Sequence, residues 1–148
     1  MDRSLSRLLL TTWFCLGVAD FSHSAEQTAS TPTVDPDHAV KRMQGLELFK
    51  AEVRGILKSK CLDCHGGEAT EGKLDLTTQD ALLKGGERGP AAVVGRGEKS
   101  LIVRLISHQQ QPRMPKDGDK LSAKEISAIT RWIDLGAPYD EPLIESKK

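Results

Sequence analysis

The sequence predicts a small all-α domain with long irregular connections, and three observations predict it. Apolar residues recur at spacings of three and four over separate segments, the pattern of amphipathic helices. Between these segments lie a glycine-rich stretch over residues 66–97 and a proline-broken stretch over 108–120, both rich in turn chemistry. With 38% hydrophobic and 4% aromatic residues, the 148-residue chain is thin in core-forming side chains. A small domain of that composition calls for a staple: a disulfide, a metal or a cofactor.

Residues 1–25 read as a secretory signal peptide. Arg3 and Arg7 form a positive n-region, Leu8 to Ala19 is a mostly apolar run, and small residues lead to Ser24-Ala25. The run is too short to span a bilayer as a stable helix. Cleavage is expected after Ala25, with Ala19 as the second choice because His23 fits a cleavage site poorly. The competing reading is a retained N-terminal anchor. Cys15 has no lipoprotein-type context. An exported chain in a periplasmic or equivalent extracytoplasmic space is expected, with no stable membrane insertion once the signal is removed. It would carry only Cys61 and Cys64. Residues 26–40 are rich in Thr, Ser, Pro and Asp and read as a disordered lead-in, with His38 a solvated linker residue.

Residues 41–60 predict the first helix, with Met43, Leu46, Phe49, Val53, Ile56 and Leu57 on one face. Gly45 and Gly55 weaken it intrinsically and so mark places of close approach. In the glycine-rich stretch, Leu74-Asp75-Leu76 is one short extended segment, Gln79 to Lys84 a helical turn, and Gly85 to Pro90 turn material. A connection this long in a small domain usually has a function, such as wrapping a cofactor. Residues 98–107 predict a second helix, its face made by Leu101, Ile102, Leu105 and Ile106. Residues 122–135 predict a third: Ser122 and Glu125 are spaced for a capping box, Gly136 ends it and Pro138 prevents continuation. Its apolar face is Ile126, Ile129 and Ile133, with Trp132 beside them. The chain closes on a polar tail at 141–148.

Cys61-Leu62-Asp63-Cys64-His65 carries the chemistry. A Cys-x-x-Cys-His pentad reads as a c-type haem attachment site. One turn of backbone offers two thiols to the two vinyl groups of the haem, and the adjacent imidazole reaches the iron from the same side. Zinc needs three or four protein ligands, and the exported chain has no third cysteine. A thioredoxin-like motif expects a βαβ setting, whereas an amphipathic helix precedes this pentad. A structural disulfide is the plainest competitor.

Two residues compete for the sixth ligand position. Met114 stands in a polar loop between Arg113 and Pro115, where packing gives little reason for a methionine, and Pro112 and Pro115 stiffen the loop around it. His108 lies six residues earlier at a helix end, where capping the last carbonyls is its plain role. Thioether ligation would favour ferrous iron and raise the potential. The Gly89-Pro90 carbonyl is a candidate acceptor for the other N–H of His65. Arg88, Arg96 and Arg113 are candidates to neutralise haem propionates, or are solvated surface charges.

These stretches resemble the class I c-type cytochromes, and most closely the planctomycete-type cytochrome c domain. The resemblance rests on Cys61-x-x-Cys64-His65-Gly66, Lys73-Leu74-Asp75-Leu76, Gly85-Gly86…Gly89-Pro90, Met114-Pro115, and Trp132-Ile133-Asp134-Leu135-Gly136-Ala137-Pro138-Tyr139. It covers residues 45–140, with one proline after Met114 where the family often has two. It implies a small all-α haem domain, placed here at residues 41–140, in which N- and C-terminal helices pack together and long loops wrap the haem. It also implies His65 and Met114 as axial ligands to the iron of one covalent haem c. In that family the domain often heads a larger protein.

Electron transfer to a redox partner protein is the function these features favour, since a six-coordinate haem has no open position for substrate. The chain then reads as an electron carrier and not an enzyme. A five-coordinate haem protein binding a small gas or peroxide is the alternative, as is the haem domain of a larger oxidoreductase. Lys plus Arg and Asp plus Glu both number 21, so no charged field argues for nucleic acid. Any partner must be recognised through a local patch.

Overall fold

The computed structural model describes residues 36–144. The predicted signal peptide, the lead-in as far as residue 35, and residues 145–148 lie outside the described residues. Helix α1 (Pro36–Leu48) opens on a proline, whose fixed φ and missing N–H suit a first helical turn. The lead-in expected to run to residue 40 is therefore helical from Pro36 onward. A π turn at Phe49–Val53 follows without a break, and α2 (Arg54–Lys60) carries the helix to Cys61.

The buried stripe of this long helix runs through Gly45, Phe49 and Val53 and then Ile56 and Leu57. Met43, expected on that face, is 68% exposed. Gly45 explains the difference. A Cβ there would lie 2.7 Å from Pro138 Cγ and 3.2 Å from Leu135 Cβ, so Gly45 is the closest point of approach to the C-terminal end of the fold. The stripe passes from Gly45 at intervals of about four residues, and Met43 falls off it. Gly55 meets nothing within 4 Å and plays no such part.

The partner of this helix is α6 (Ala123–Asp134). Its capping box is complete: Ser122 Oγ accepts from the Glu125 amide, and the Glu125 carboxylate accepts from the Ser122 amide. These contacts, the Ser122 hydroxyl first, hold the Glu125 carboxyl below its usual range. Gly136, at φ 104°, takes the backbone out of the helix. Trp132 and Phe49 are fully buried and stack with ring centroids 5.6 Å apart. Tyr139 closes the cluster at 4.5 Å from Phe49 and 5.4 Å from Trp132. Trp132 Nε1–H donates to the Pro138 carbonyl at 2.9 Å, so the indole fills the core with its one donor satisfied. First and last helices pack together as the sequence led us to expect.

Short elements connect them. Helix α3 (Leu62–His65) holds most of the pentad. Strand β1 (Ala69–Thr70) folds back on it, with antiparallel bridges from Gly66 to Ala69 and from His65 to Thr70. A 3-10 turn at Glu71–Lys73 leads to α4 (Gln79–Lys84), capped by Thr78. Leu74 to Leu76 forms no strand, although the Leu76 amide donates to the His65 carbonyl at 2.8 Å. The helix expected over 98–107 is shorter, a 3-10 turn at Gly97–Lys99 followed by α5 (Leu101–Ile106). Gly97 sets this limit: its amide donates to the Asp134 carboxylate, and a Cβ there would lie 2.3 Å from the Thr130 carbonyl oxygen. The described residues are mostly helical, with the two-residue β1 as the one named strand.

The expected polar tail is not a free end over its described part. Arg54 pairs with Asp140 and, at 2.6 Å, with Glu141, while its guanidinium lies 5.4 Å from the centre of the Phe49 ring. Leu143 is buried, and its amide donates to the Thr77 carbonyl at 2.8 Å. Residues 140–144 are thus a strap across the loops, fastened by the ion pairs of Arg54 at one end and the buried Leu143 at the other.

The two helical glycines make opposite predictions. Gly45→Val should lower stability by roughly 1–3 kcal/mol through overpacking against Pro138. Gly55→Ala should raise it by roughly 0.5–1 kcal/mol by restricting the unfolded chain. Urea unfolding midpoints measure both, and an unchanged midpoint for Gly45→Val would refute the close approach.

Candidate functional site

The pentad leaves α2 at Cys61, where the backbone departs from helical values before α3 resumes the turn. The Cys61 carbonyl accepts from the His65 amide at 2.9 Å and from the Cys64 amide at 3.2 Å. Both thiols and the imidazole are therefore carried on one wound segment. Cys61 is half-buried, Cys64 is exposed, and both are free thiols. Burial pushes the Cys61 thiol up to about 11, with the neighbouring Cys64 adding to the effect. At neutral pH the Cys61 sulfur accordingly keeps its proton.

Cys61, Cys64 and His65 open into a cavity of about 370 Å³, within the range of about 300–1,000 Å³ usual for cofactor sites. Met114 lines the same cavity. Its walls are largely apolar, built by Leu74, Leu76, Ile102 and Leu105 among others, while Lys60, Arg88 and Lys116 supply cationic groups. His65 Nδ1 is buried and has no hydrogen-bond partner. A planar, mostly apolar group with two reactive vinyls and a metal would satisfy this wall chemistry. Two thiols, one imidazole and one thioether converge on it, and the residues fit a haem. Among the described residues, no three His, Cys, Asp or Glu side chains are grouped to hold a metal ion by themselves.

Several sequence expectations change here. The Gly89 carbonyl accepts from the Gly86 amide at 3.1 Å, and His65 Nδ1 has no acceptor, so the Gly89-Pro90 support proposed for the imidazole is not made. Of the three arginines, Arg88 lines the cavity, whereas Arg96 and Arg113 are exposed and do not. Arg88 Nη1 also donates to the Gln111 carbonyl at 2.8 Å, joining the glycine loop to the methionine loop. His108 does not line the cavity. Its Nε2 instead lies 3.1 Å from the Met114 carbonyl oxygen.

Other supporting residues carry no obvious sequence signal. The Leu105 carbonyl accepts from both the His108 and Met114 amides, at 3.1 and 3.2 Å. The Tyr139 hydroxyl donates to the Leu76 carbonyl at 3.0 Å, and burial pushes its pKa up. Because the Leu76 amide holds the His65 carbonyl, the aromatic cluster reaches the pentad through a single residue. The side chain of Ile144 comes within 3.2 Å of the Cβ position at Gly66, placing the end of the strap behind the pentad hairpin.

Residues 61–118 match the family model described as Planctomycete cytochrome C. The match begins at the first cysteine and ends just beyond Met114-Pro115, so it takes in the pentad, the glycine loop, α5 and the methionine loop. Helices α1, α2 and α6 lie outside it. No curated protein and no solved structure matches the chain.

The strap gives the test for this region. Leu143→Ala should cost roughly 2–4 kcal/mol of stability, as truncation of a buried leucine does. A loss below about 0.5 kcal/mol in urea unfolding, the scale of a surface change, would show that residue 143 is not packed.

Proposed function

We propose, from the planctomycete-type cytochrome c domain at residues 61–118, that this protein is an exported monohaem electron carrier. The observation that carries the proposal is the convergence of Cys61, Cys64, His65 and Met114 on one largely apolar cavity. Each cysteine S–H would add across one haem vinyl group, sulfur to carbon and hydrogen to the neighbouring carbon, giving two thioethers with no redox change. His65 and Met114 would hold the iron from the chain's two loop systems. The bound haem would supply a one-electron couple. The chain would supply a fixed ligand set, a dry wall and a cationic edge.

Thioether against a second imidazole decides the potential, since methionine ligation raises it. The position of His108 supports Met114 as the sixth ligand: its Nε2 is engaged by the Met114 carbonyl, and its ring does not line the cavity. With His65 and Met114 both holding the iron, a bound haem would have no open position for substrate, and outer-sphere exchange with a redox partner protein would be the activity that remains. Export rests on the N-terminal sequence, where the positive n-region and apolar run stand. Among the described residues no helix is long and apolar enough to cross a membrane.

Expression with a cytochrome c maturation system should give a coloured protein whose haem stays with the polypeptide on a denaturing gel. Cys61→Ser with Cys64→Ser should abolish that staining. Met114→Ala should remove the weak far-red ferric band of thioether ligation and open the iron to added ligands. A colourless product with the mass of the bare chain would end the proposal, and N-terminal sequencing of the secreted form would test cleavage.

A further inference from the structure

We infer that His108 is a positioning residue for the Met114 thioether, acting through the backbone and not at the iron; this rests on the reading of Met114 as a ligand. The main-chain groups of Met114 are held at both ends by the C-terminus of α5. Its amide donates to the Leu105 carbonyl at 3.2 Å, and its carbonyl oxygen lies 3.1 Å from His108 Nε2. A carbonyl can only accept, so His108 Nε2 carries the proton of this hydrogen bond.

The backbone at His108 is built for the contact. His108 has φ 60°, the left-handed region that histidine visits more readily than most side chains. Its own amide donates to the same Leu105 carbonyl, at 3.1 Å. The Gln109 and Gln110 amides both donate to the Arg104 carbonyl, at 2.9 and 3.2 Å. The last turn of α5 thus reverses sharply, and the imidazole is turned back across the loop it starts. Residues 108–114 close into a ring with His108 as the clasp. Without the clasp, the exposed residues 109 and 111–113 would leave Met114 tied to α5 through its amide alone.

A ligand on a loop binds iron only for the fraction of time the loop presents it. The clasp raises that fraction, so its loss should weaken the methionine bond toward competing ligands without removing the methionine. His108→Ala keeps the backbone demand and removes the donor. His108→Gln restores a donor of similar reach.

The experiment is imidazole titration of the ferric holoprotein, with the far-red band and the reduction potential recorded alongside, for the wild type, His108→Ala, His108→Gln and Met114→Ala. We expect His108→Ala to bind imidazole about five- to tenfold more tightly, the equilibrium worth of one hydrogen bond, with a weakened far-red band and a lower potential. His108→Gln should return most of the way to wild type. Wild-type behaviour of His108→Ala would overturn the inference while leaving Met114 as the ligand. Equal weakening in both His108 variants would also overturn it, since ring packing and not the donor would then matter. If Met114→Ala itself keeps the band and the wild-type affinity, the ligand reading falls, and that result is distinct from either.

Discussion

Phe49 and Trp132 stack at the crossing of the first and last helices, and the cavity is built outward from that contact. Both rings are fully buried, Tyr139 seals the third side, and Gly45 lets the backbones come close enough for the rings to meet. From this cluster two routes lead to the pentad. One is covalent and rigid: the helix that carries Phe49 runs through α2 into Cys61. The other passes through Tyr139 and Leu76 to the His65 carbonyl. The three aromatic side chains among the described residues thus all meet at one crossing. Val53, Leu57, Ile129 and Ile133 extend this core, while Leu74, Leu76, Ile102 and Leu105 line the cavity.

That division explains which features are legible in the sequence. The pentad is legible because its chemistry demands consecutive residues: no fold is needed to bring Cys61, Cys64 and His65 together. Helix α6 is legible because the Ser122–Glu125 box, the apolar face and Gly136 agree on its limits. Met114 stands out in the sequence as a methionine in a polar loop, and the structure sets it half-buried against the core and on the cavity wall. The family match over 61–118 spans the pentad and this loop and leaves the crossing helices outside.

What was missed is missed for identifiable reasons. Met43 counts as apolar and Gly45 as a weak point, yet the buried stripe follows the glycine, because close approach selects for the absence of a side chain. Leu143 belongs to a short Pro142-Leu143-Ile144 run without helical periodicity, so the strap it anchors is invisible until Thr77 is seen beside it. The π turn at Phe49–Val53 has no composition of its own. The missing partner of His65 Nδ1 and the engaged Nε2 of His108 are both tertiary facts, fixed by where carbonyls of distant loops fall.

The two sides of the cavity solve the same problem by different means. His65 sits on a wound segment directly continuous with a packed helix, so its position is set when that helix packs. Met114 sits in a proline-flanked loop with no helix of its own, and loops lose placement easily. Hydrogen bonds fasten that loop: the Met114 amide to the Leu105 carbonyl, the His108 imidazole to the Met114 carbonyl, and Arg88 to the Gln111 carbonyl. On the proposed one-electron function this would matter more than affinity, because a ligand set that moves on reduction slows transfer in both directions. A thioether is a weak ligand and cannot impose order on its own loop. On that proposal the rigidity would have to come from the polypeptide, and the hydrogen bonds at the C-terminal turn of α5 are placed to supply it.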